Sequence, residues 1–342
     1  MENNYSQISS SSPFYLASDV AYAKWRAQKL EQARNYQQAD IIKIDDLANL
    51  SNKELLAVKQ SCSQTNMAIY QTAPSDNQDK VEVDLRKFAK SFSLKMAEDH
   101  RSAGKNGVVA LTISNKPAQK NYVPYSNKGM NWHTDGYYNA PDEQIQSMVL
   151  HCFRQASDGG VNQFLDNEIA YIRVRDHNPE FIKALMHPQV LSIPENIDEN
   201  GKLRAKSVGP VFSTNATGEI LYMRYSARKK YIEWKDDEIT KQAVTYLQSI
   251  LENEDEFIHE IKLKAGQGVI CNNSLHNRTG FDSNYEGEAA ASPSGVSEEE
   301  VITAARIKTT RITAGVPGKG LQAPTAARIM YRVRFHNRIS GE

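Results

Sequence analysis

Apolar residues change their spacing several times along the chain, and each change marks an element. In "LASDVAYAKWRAQKLEQARNY" (16–36) they recur three and four apart among charges, which predicts an exposed amphipathic helix. "IIKIDDL" (41–47) reads as a short strand. A helix follows in "LSNKELLAVKQSC", with Ser51 and Glu54 as a capping box and Leu50 and Leu55 as a hydrophobic staple. Residues 66–72 and 107–114 read as strands, with a helix across 82–98 between them. Strand patterns then dominate at 146–153, 161–166, 219–226, 257–264, 268–273 and 328–337. One helix interrupts them at 236–253, with Ile239, Ala243, Leu247 and Ile250 on one face. Many strands with few late helices predict a mainly β fold, a sandwich or barrel with helices packed outside.

Composition narrows the function classes. Of the 342 residues 40% are hydrophobic, enough for a sizeable core. Lys+Arg and Asp+Glu both number 41, so there is no basic excess or stripe for a nucleic acid. The N-terminus lacks a basic then apolar leader, and no apolar run approaches a membrane span. The expected setting is cytoplasmic, without membrane or nucleic-acid partners. Cys62, Cys152 and Cys271 are an odd, sparse set without C-x-x-C, which argues against disulfides and a Cys-rich metal site.

The organisation expected is a polar and helical extension over 1–40 and a single domain over 41–342. An insertion at about 282–325 interrupts that domain. It opens with the acidic run "DSNYEGEAAASPSGVSEEE" and continues through Arg306, Lys308, Arg311 and Lys319. A loop of that length suits a lid over an active site.

The chemistry starts in "NWHTDGYYN" (131–139). On a strand, His133 and Asp135 would share a face, so an imidazole and a carboxylate could reach one metal. His276, after a strand and at the start of the polar turn in "VICNNSLHNRTGF", is the candidate third ligand. Two histidines and one carboxylate leave open positions and suit non-haem Fe(II), without excluding Zn(II), Mn(II) or Co(II). H-x-D also occurs by chance. In "RIMYRVRFHN", Arg328, Met330, Arg332 and Arg334 share one strand face and Val333 and Phe335 the other. Such a pattern is either a solvated face or the cationic anchor that a chelating 2-oxo dicarboxylate needs, for which Arg has the bidentate geometry.

The ordered set W-H-T-D, Gly-Gly, "NNSLHNRTGF" and "RIMYR" resembles the TauD/TfdA (taurine dioxygenase) family of Fe(II)/2-oxoglutarate oxygenases, over roughly residues 40–340. "NNSLHNRTGF" also resembles the γ-butyrobetaine hydroxylase and clavaminate synthase branches. The resemblance implies a double-stranded β-helix core of jelly-roll, cupin-like type. It implies Fe(II) on His133, Asp135 and His276, with 2-oxoglutarate as cosubstrate and dioxygen as oxidant. It places Arg328 on the far carboxylate of 2-oxoglutarate, Arg332 toward the C1 end and the substrate anion, and Asn162 beside the cosubstrate. The insertion sets Arg328 far beyond His276 in sequence, so Arg306 and Arg311 stay open as alternatives. A carboxylate at Asp135 favours hydroxylation over halogenation.

The expected activity is a 2-oxoglutarate-dependent dioxygenase that hydroxylates a small polar or anionic metabolite, releasing succinate and CO2. Sulfonates, amino acids and betaine-like molecules are candidate substrates. Asn131, Tyr137, Tyr138, Arg224 and Asn277 are candidate pocket residues. A homo-oligomer fits the resemblance. Two rival readings are a non-catalytic metal and 2-oxoglutarate sensor or scaffold, and a zinc hydrolase, which would need a general base that no motif supplies.

Overall fold

The computed structural model describes residues 9–36, 41–95, 107–116, 119, 122–197, 203–228, 230–253, 255–282 and 327–340. Ten strands make up its two larger sheets: β1 (Ile42–Lys43), β2 (Met67–Gln71), β3 (Val109–Leu111), β4 (Met130–His133), β5 (Ser147–Arg154), β6 (Asn162–Leu165), β7 (His259–Ile261), β8 (Gln267–Cys271), β9 (Leu275–Arg278) and β10 (Ile329–Phe335). A six-stranded sheet runs β1-β2-β8-β5-β10-β3, and a four-stranded sheet runs β7-β6-β9-β4. Every neighbouring pair in both is antiparallel except β1 with β2. The helices are α1 (Asp19–Asn35), α2 (Asn52–Thr65), α3 (Gln78–Ser91), α4 (Asn167–His177), α5 (Pro179–Leu185) and α6 (Glu238–Glu252). This is a mixed helix-and-sheet fold with antiparallel sheets.

Period-two alternation sets the layers. On β5, Met148, Leu150 and Cys152 pack with Met67, Ile69, Val269, Cys271, Met330 and, from the smaller sheet, Phe164. Val149 and Phe153 point the other way, onto Val58 and Cys62 of α2 and Leu85 and Phe88 of α3. β10 follows the same rule. Ile329, Tyr331, Val333 and Phe335 join the helix-side core, which turns Arg332 and Arg334 toward the space between the sheets. α4, α5 and α6 cover the outer face of the smaller sheet, against Leu165, Leu275 and Trp132. All three cysteines are buried and free.

The Ser51 capping box is present: Glu54 N donates to Ser51 Oγ, and Ser51 N donates to Glu54 Oε2. The strand expected at 41–47 shrinks to Ile42–Lys43, and the helix expected at 82–98 spans Gln78–Ser91. Ile239 lies on the exposed side of α6, whereas Thr240, Ala243, Val244, Leu247, Ile250 and Leu251 are buried. The helix expected to be exposed at 16–36 is docked. Lys29 is 3% exposed and pairs with Asp166 at 2.6 Å and Glu168 at 2.5 Å. Phe14, just before it, is fully buried against Trp25 and Tyr171.

α4 and α5 did not emerge from the sequence pattern. α4 buries Ile169, Ala170, Tyr171, Ile172 and Val174, so it shows no amphipathic stripe. Its end signals were legible nonetheless. Asp166 and Asn178 cap the two helices, and Pro179 occupies the first turn of α5. Most of the expected insertion, from 283 onward, lies outside the described residues, as do Arg306 and Arg311.

Candidate metal centre

β4 and β9 are neighbours, and His276 pairs directly opposite His133 across them. His276 is thus a strand residue rather than a turn residue. Asp135 lies two residues beyond the end of β4, in a turn rather than on the strand face. Gly136 forms that turn at φ +67°. A Cβ there would come within 2.5 Å of Ile145 Cγ1, so glycine is required by both backbone and space. Asn273, itself at φ 50°, fixes the turn from across the site. Its Oδ1 accepts from Asp135 N at 2.8 Å, and its Nδ2 donates to Asp135 O at 3.0 Å and Ile145 O at 2.7 Å.

His133, Asp135 and His276 are all buried, and each offers a ligand atom within 4.8 Å of the others'. His133 Nδ1 lies 2.8 Å from Asn131 O, and His276 Nδ1 lies 2.9 Å from Ser274 O. With a proton on each Nδ1, both rings donate to carbonyls and leave the Nε2 lone pairs for a metal. Burial pushes the His133 imidazole down to about 3, aided by the neighbouring His276, and burial lowers His276 as well. Both rings are therefore neutral, the form in which an imidazole can ligate a metal. Burial would raise the Asp135 carboxyl, but the Arg332 and Arg334 guanidinium groups hold it well below the usual carboxylate range. Arg332 reaches Asp135 Oδ1 at 3.2 Å, while Asp135 Oδ2 is buried without a hydrogen-bond partner. An orphaned carboxylate oxygen beside two imidazole lone pairs fits a divalent cation.

A cationic corner lies along the same space. Arg328 and Arg278 are both buried, and their guanidinium carbons sit 5.0 and 4.9 Å from the centre of the Phe281 ring. Among the described residues no carboxylate pairs with either. Burial pushes both guanidinium groups down to about 10, and Arg328 adds repulsion on Arg278. Arg278 is tied to the carbonyls of Ser126 and Lys128. Arg328 lies over the ring. A buried cation without an anion is costly, so this corner could hold a carboxylate ligand. The adjoining Gly159 has φ +66°, and a Cβ there would fall 2.2 Å from Gly280 O.

The other expected residues divide. Asn162 is buried on the inner face with Phe164, its Nδ2 3.4 Å from Gly160 O. Tyr138 accepts from Arg334 at 3.1 Å and meets Tyr137 edge to face. Asn131 is exposed and shares a strand face with His133. Arg224 donates to the carbonyls of Leu191, Gly209 and Ser207, which ties together segments beside the site. Asn277 does not join the centre: it alternates with His276 and hydrogen-bonds Gln163. Sequence reasoning missed Asn273 and Arg278. Both stand in the "NNSLHNR" run, whose second Asn at a positive-φ corner was the available signal.

A family model described as Taurine catabolism dioxygenase TauD, TfdA family matches residues 31–289, which ends before β10. A uridine-5'-phosphate dioxygenase from an Amycolatopsis species is 26% identical over 109 residues, 32% of this chain and 38% of that protein. The match thus spans well under half of that relative. Among solved structures, the non-heme iron oxygenase OrfP with Fe, succinate and (3S)-hydroxy-L-Arg aligns with TM-score 0.55 and 13% identity, covering 95% of this chain and 90% of its own. Asparagine oxygenase with Fe(II), 2S,3S-3-hydroxyasparagine and succinate aligns at 0.51 and 11%, covering 90% and 89%. PvcB from Pseudomonas aeruginosa aligns at 0.51 and 13%, covering 87% and 84%. At these identities the likeness is one of fold.

Proposed function

The chain belongs to the TauD/TfdA family of dioxygenases, and from that premise we propose that it is an Fe(II)- and 2-oxoglutarate-dependent oxygenase of a small polar or anionic metabolite. The observation that carries this reading is the convergence of two buried, neutral imidazoles and the Asp135 carboxylate, one oxygen of which has no other partner. His133, Asp135 and His276 would hold the iron, and Arg328 the far carboxylate of 2-oxoglutarate. When bound, iron and 2-oxoglutarate supply the oxidising chemistry, in which dioxygen and the 2-oxo acid yield succinate and CO2 as oxygen enters a substrate C–H bond.

The protein's own residues do the positioning. Asn131 and Ser274 carbonyls hold both imidazoles in one tautomer. Asn273 fixes the Asp135 backbone. Arg332 keeps the Asp135 carboxylate ionised and oriented. Phe164, stacked 5.9 Å from His276, walls the centre from the side and excludes water. The double-stranded β-helix reading of the core belongs with this proposal and is supported by the two antiparallel sheets. The substrate class also rests on likeness: the structural neighbours OrfP and asparagine oxygenase hold hydroxylated amino acids, and the Amycolatopsis relative is named for a nucleotide.

Anaerobic addition of Fe(II) and 2-oxoglutarate tests the reading. A weak visible charge-transfer band is expected, absent in His133→Ala and weakened in Arg328→Gln. No band in the wild-type protein refutes it. Succinate release with a substrate candidate separates an enzyme from a sensor.

A further inference from the structure

The connection from β8 to β9 is Asn272, Asn273 and Ser274, and all three residues are buried. This short loop carries the groups that set the metal centre. The Asn273 side chain holds the Asp135 backbone, and the Ser274 carbonyl faces His276 Nδ1. Buried loop backbone has no ladder to satisfy it, so side chains from elsewhere must do so. Two asparagines supply those contacts. Asn167, the first residue of α4, accepts from Leu275 N at 2.9 Å and donates to Asn273 O at 3.1 Å. Asn66 supplies the rest.

Asn66 closes α2 in the left-handed region, at φ 57°. Glycine suits such a corner better on conformational grounds alone, so the side chain needs a second reason to be there. Its polar atoms provide one. Asn66 Nδ2 donates to Asp166 Oδ1 at 2.8 Å. Asn66 Oδ1 accepts from Asn272 Nδ2 at 3.1 Å and from Arg338 Nη2 at 2.7 Å. Its backbone oxygen accepts from Asn272 N at 2.7 Å and from Ser274 Oγ at 3.3 Å. Both acceptor positions on each oxygen are thus filled. Asp166 in turn caps α4 and pairs with Lys29 of α1. One buried residue therefore joins the ends of α2 and α4 to the loop that fixes Asp135 and His276.

We propose that Asn66 is a positioning residue of the metal centre: it seats the Asn272–Ser274 loop and, through that loop, sets the Asp135 turn and the His276 ring. A ligand set works only within about 0.5 Å of its productive geometry, so a loop that shifts by more than that loses the metal. The inference deepens the oxygenase reading and rests on it for the metal arm of its test, while the exchange arm stands without it.

The test compares Asn66→Gly, Asn66→Asp and Val58→Ala in the full chain, first metal-free and then with Co(II). Asn66→Gly keeps the left-handed backbone and deletes the three side-chain hydrogen bonds. Hydrogen exchange over residues 134–139, which include the Asp135 N–H held by Asn273, should quicken about tenfold, and the Co(II) Kd read in the visible should rise about tenfold. Asn66→Asp keeps the acceptors for Asn272 and Arg338 but sets a carboxylate against Asp166. Its urea midpoint should fall at least as far as that of Asn66→Gly, while its Co(II) Kd stays within about threefold of wild type. Val58 is fully buried on α2 in the helix-side core, so Val58→Ala should lower the urea midpoint and leave both the exchange and the Co(II) Kd unchanged. If Asn66→Gly does not fold, Asn272→Ala breaks the same link from the loop side and carries the same expectation. Wild-type exchange or wild-type Co(II) affinity in Asn66→Gly overturns the proposal. So does a loss of Co(II) affinity in Val58→Ala or Asn66→Asp equal to that in Asn66→Gly. A wild-type protein that does not bind Co(II) overturns the oxygenase reading, and the exchange comparison then decides the role of Asn66 by itself.

Discussion

Asn273 should matter as much as a ligand, although it offers nothing to the metal. Its side chain makes three buried hydrogen bonds, at 2.8, 3.0 and 2.7 Å, to Asp135 N, Asp135 O and Ile145 O. Asn273→Ala deletes all three and strands a backbone N–H and two carbonyls without water. A buried hydrogen bond contributes about 1 kcal/mol net, and an orphaned partner costs about 1–3 kcal/mol. Relaxation recovers part of the sum, so a loss of about 3–5 kcal/mol is expected. Alanine also inherits φ 50°, where asparagine is tolerated better. Asn273→Gly loses the same bonds without that strain and should be about 1 kcal/mol less damaging. Freed of its clamp, the Asp135 turn should bind metal about 10–100-fold more weakly. Urea unfolding of the metal-free protein gives the first number, and Co(II) titration in the visible gives the second. If Asn273→Ala stays within about 0.5 kcal/mol of wild type and keeps its metal affinity, the clamp is not what holds Asp135.

Other residues make separate predictions. Lys29→Ala leaves Asp166 and Glu168 facing a buried gap, so it should cost about 3–5 kcal/mol in urea unfolding, and Lys29→Met, which also loses the pair but fills the gap, should cost less. Gly159→Ala drives a Cβ onto Gly280 O beside Phe281 and Arg328, and should raise the 2-oxoglutarate Kd at least tenfold by band titration; an unchanged Kd would contradict the close approach. His133 is held down to about 3 and His151 to about 4 by burial, so both stay neutral in the fold. Below about pH 6.5 the unfolded chain binds protons that the fold does not. Metal-free stability should therefore fall as pH drops from about 6.5, by up to about 1.4 kcal/mol per pH unit per residue. His133→Asn should flatten that slope in urea midpoints measured at several pH values.

Sequence patterning was informative where the local signal is strong. β5 and β10 read as strands although both their faces are buried, one against helices and the other toward the opposite sheet. α6 kept its stripe because only one side of it packs on the core. α4 lost its stripe because the core covers nearly all of it, and α1 was misjudged because one buried lysine looks like any other exposed one until its two carboxylates are seen.

The chain by itself determined the chemistry on offer: H-x-D, a later histidine and inward arginines at strand spacing, all set by residue type and local period. It could not determine which of these meet. The opposition of His276 to His133 depends on the register of β9 against β4, and that register joins residues far apart in sequence. The same pairing turns Asn277 away from the centre and brings Asn273 onto Asp135. The physical reason is that a strand's faces are local, whereas its partner is chosen by how the whole core buries its apolar area. Only the tertiary structure therefore decided which polar residues became a site.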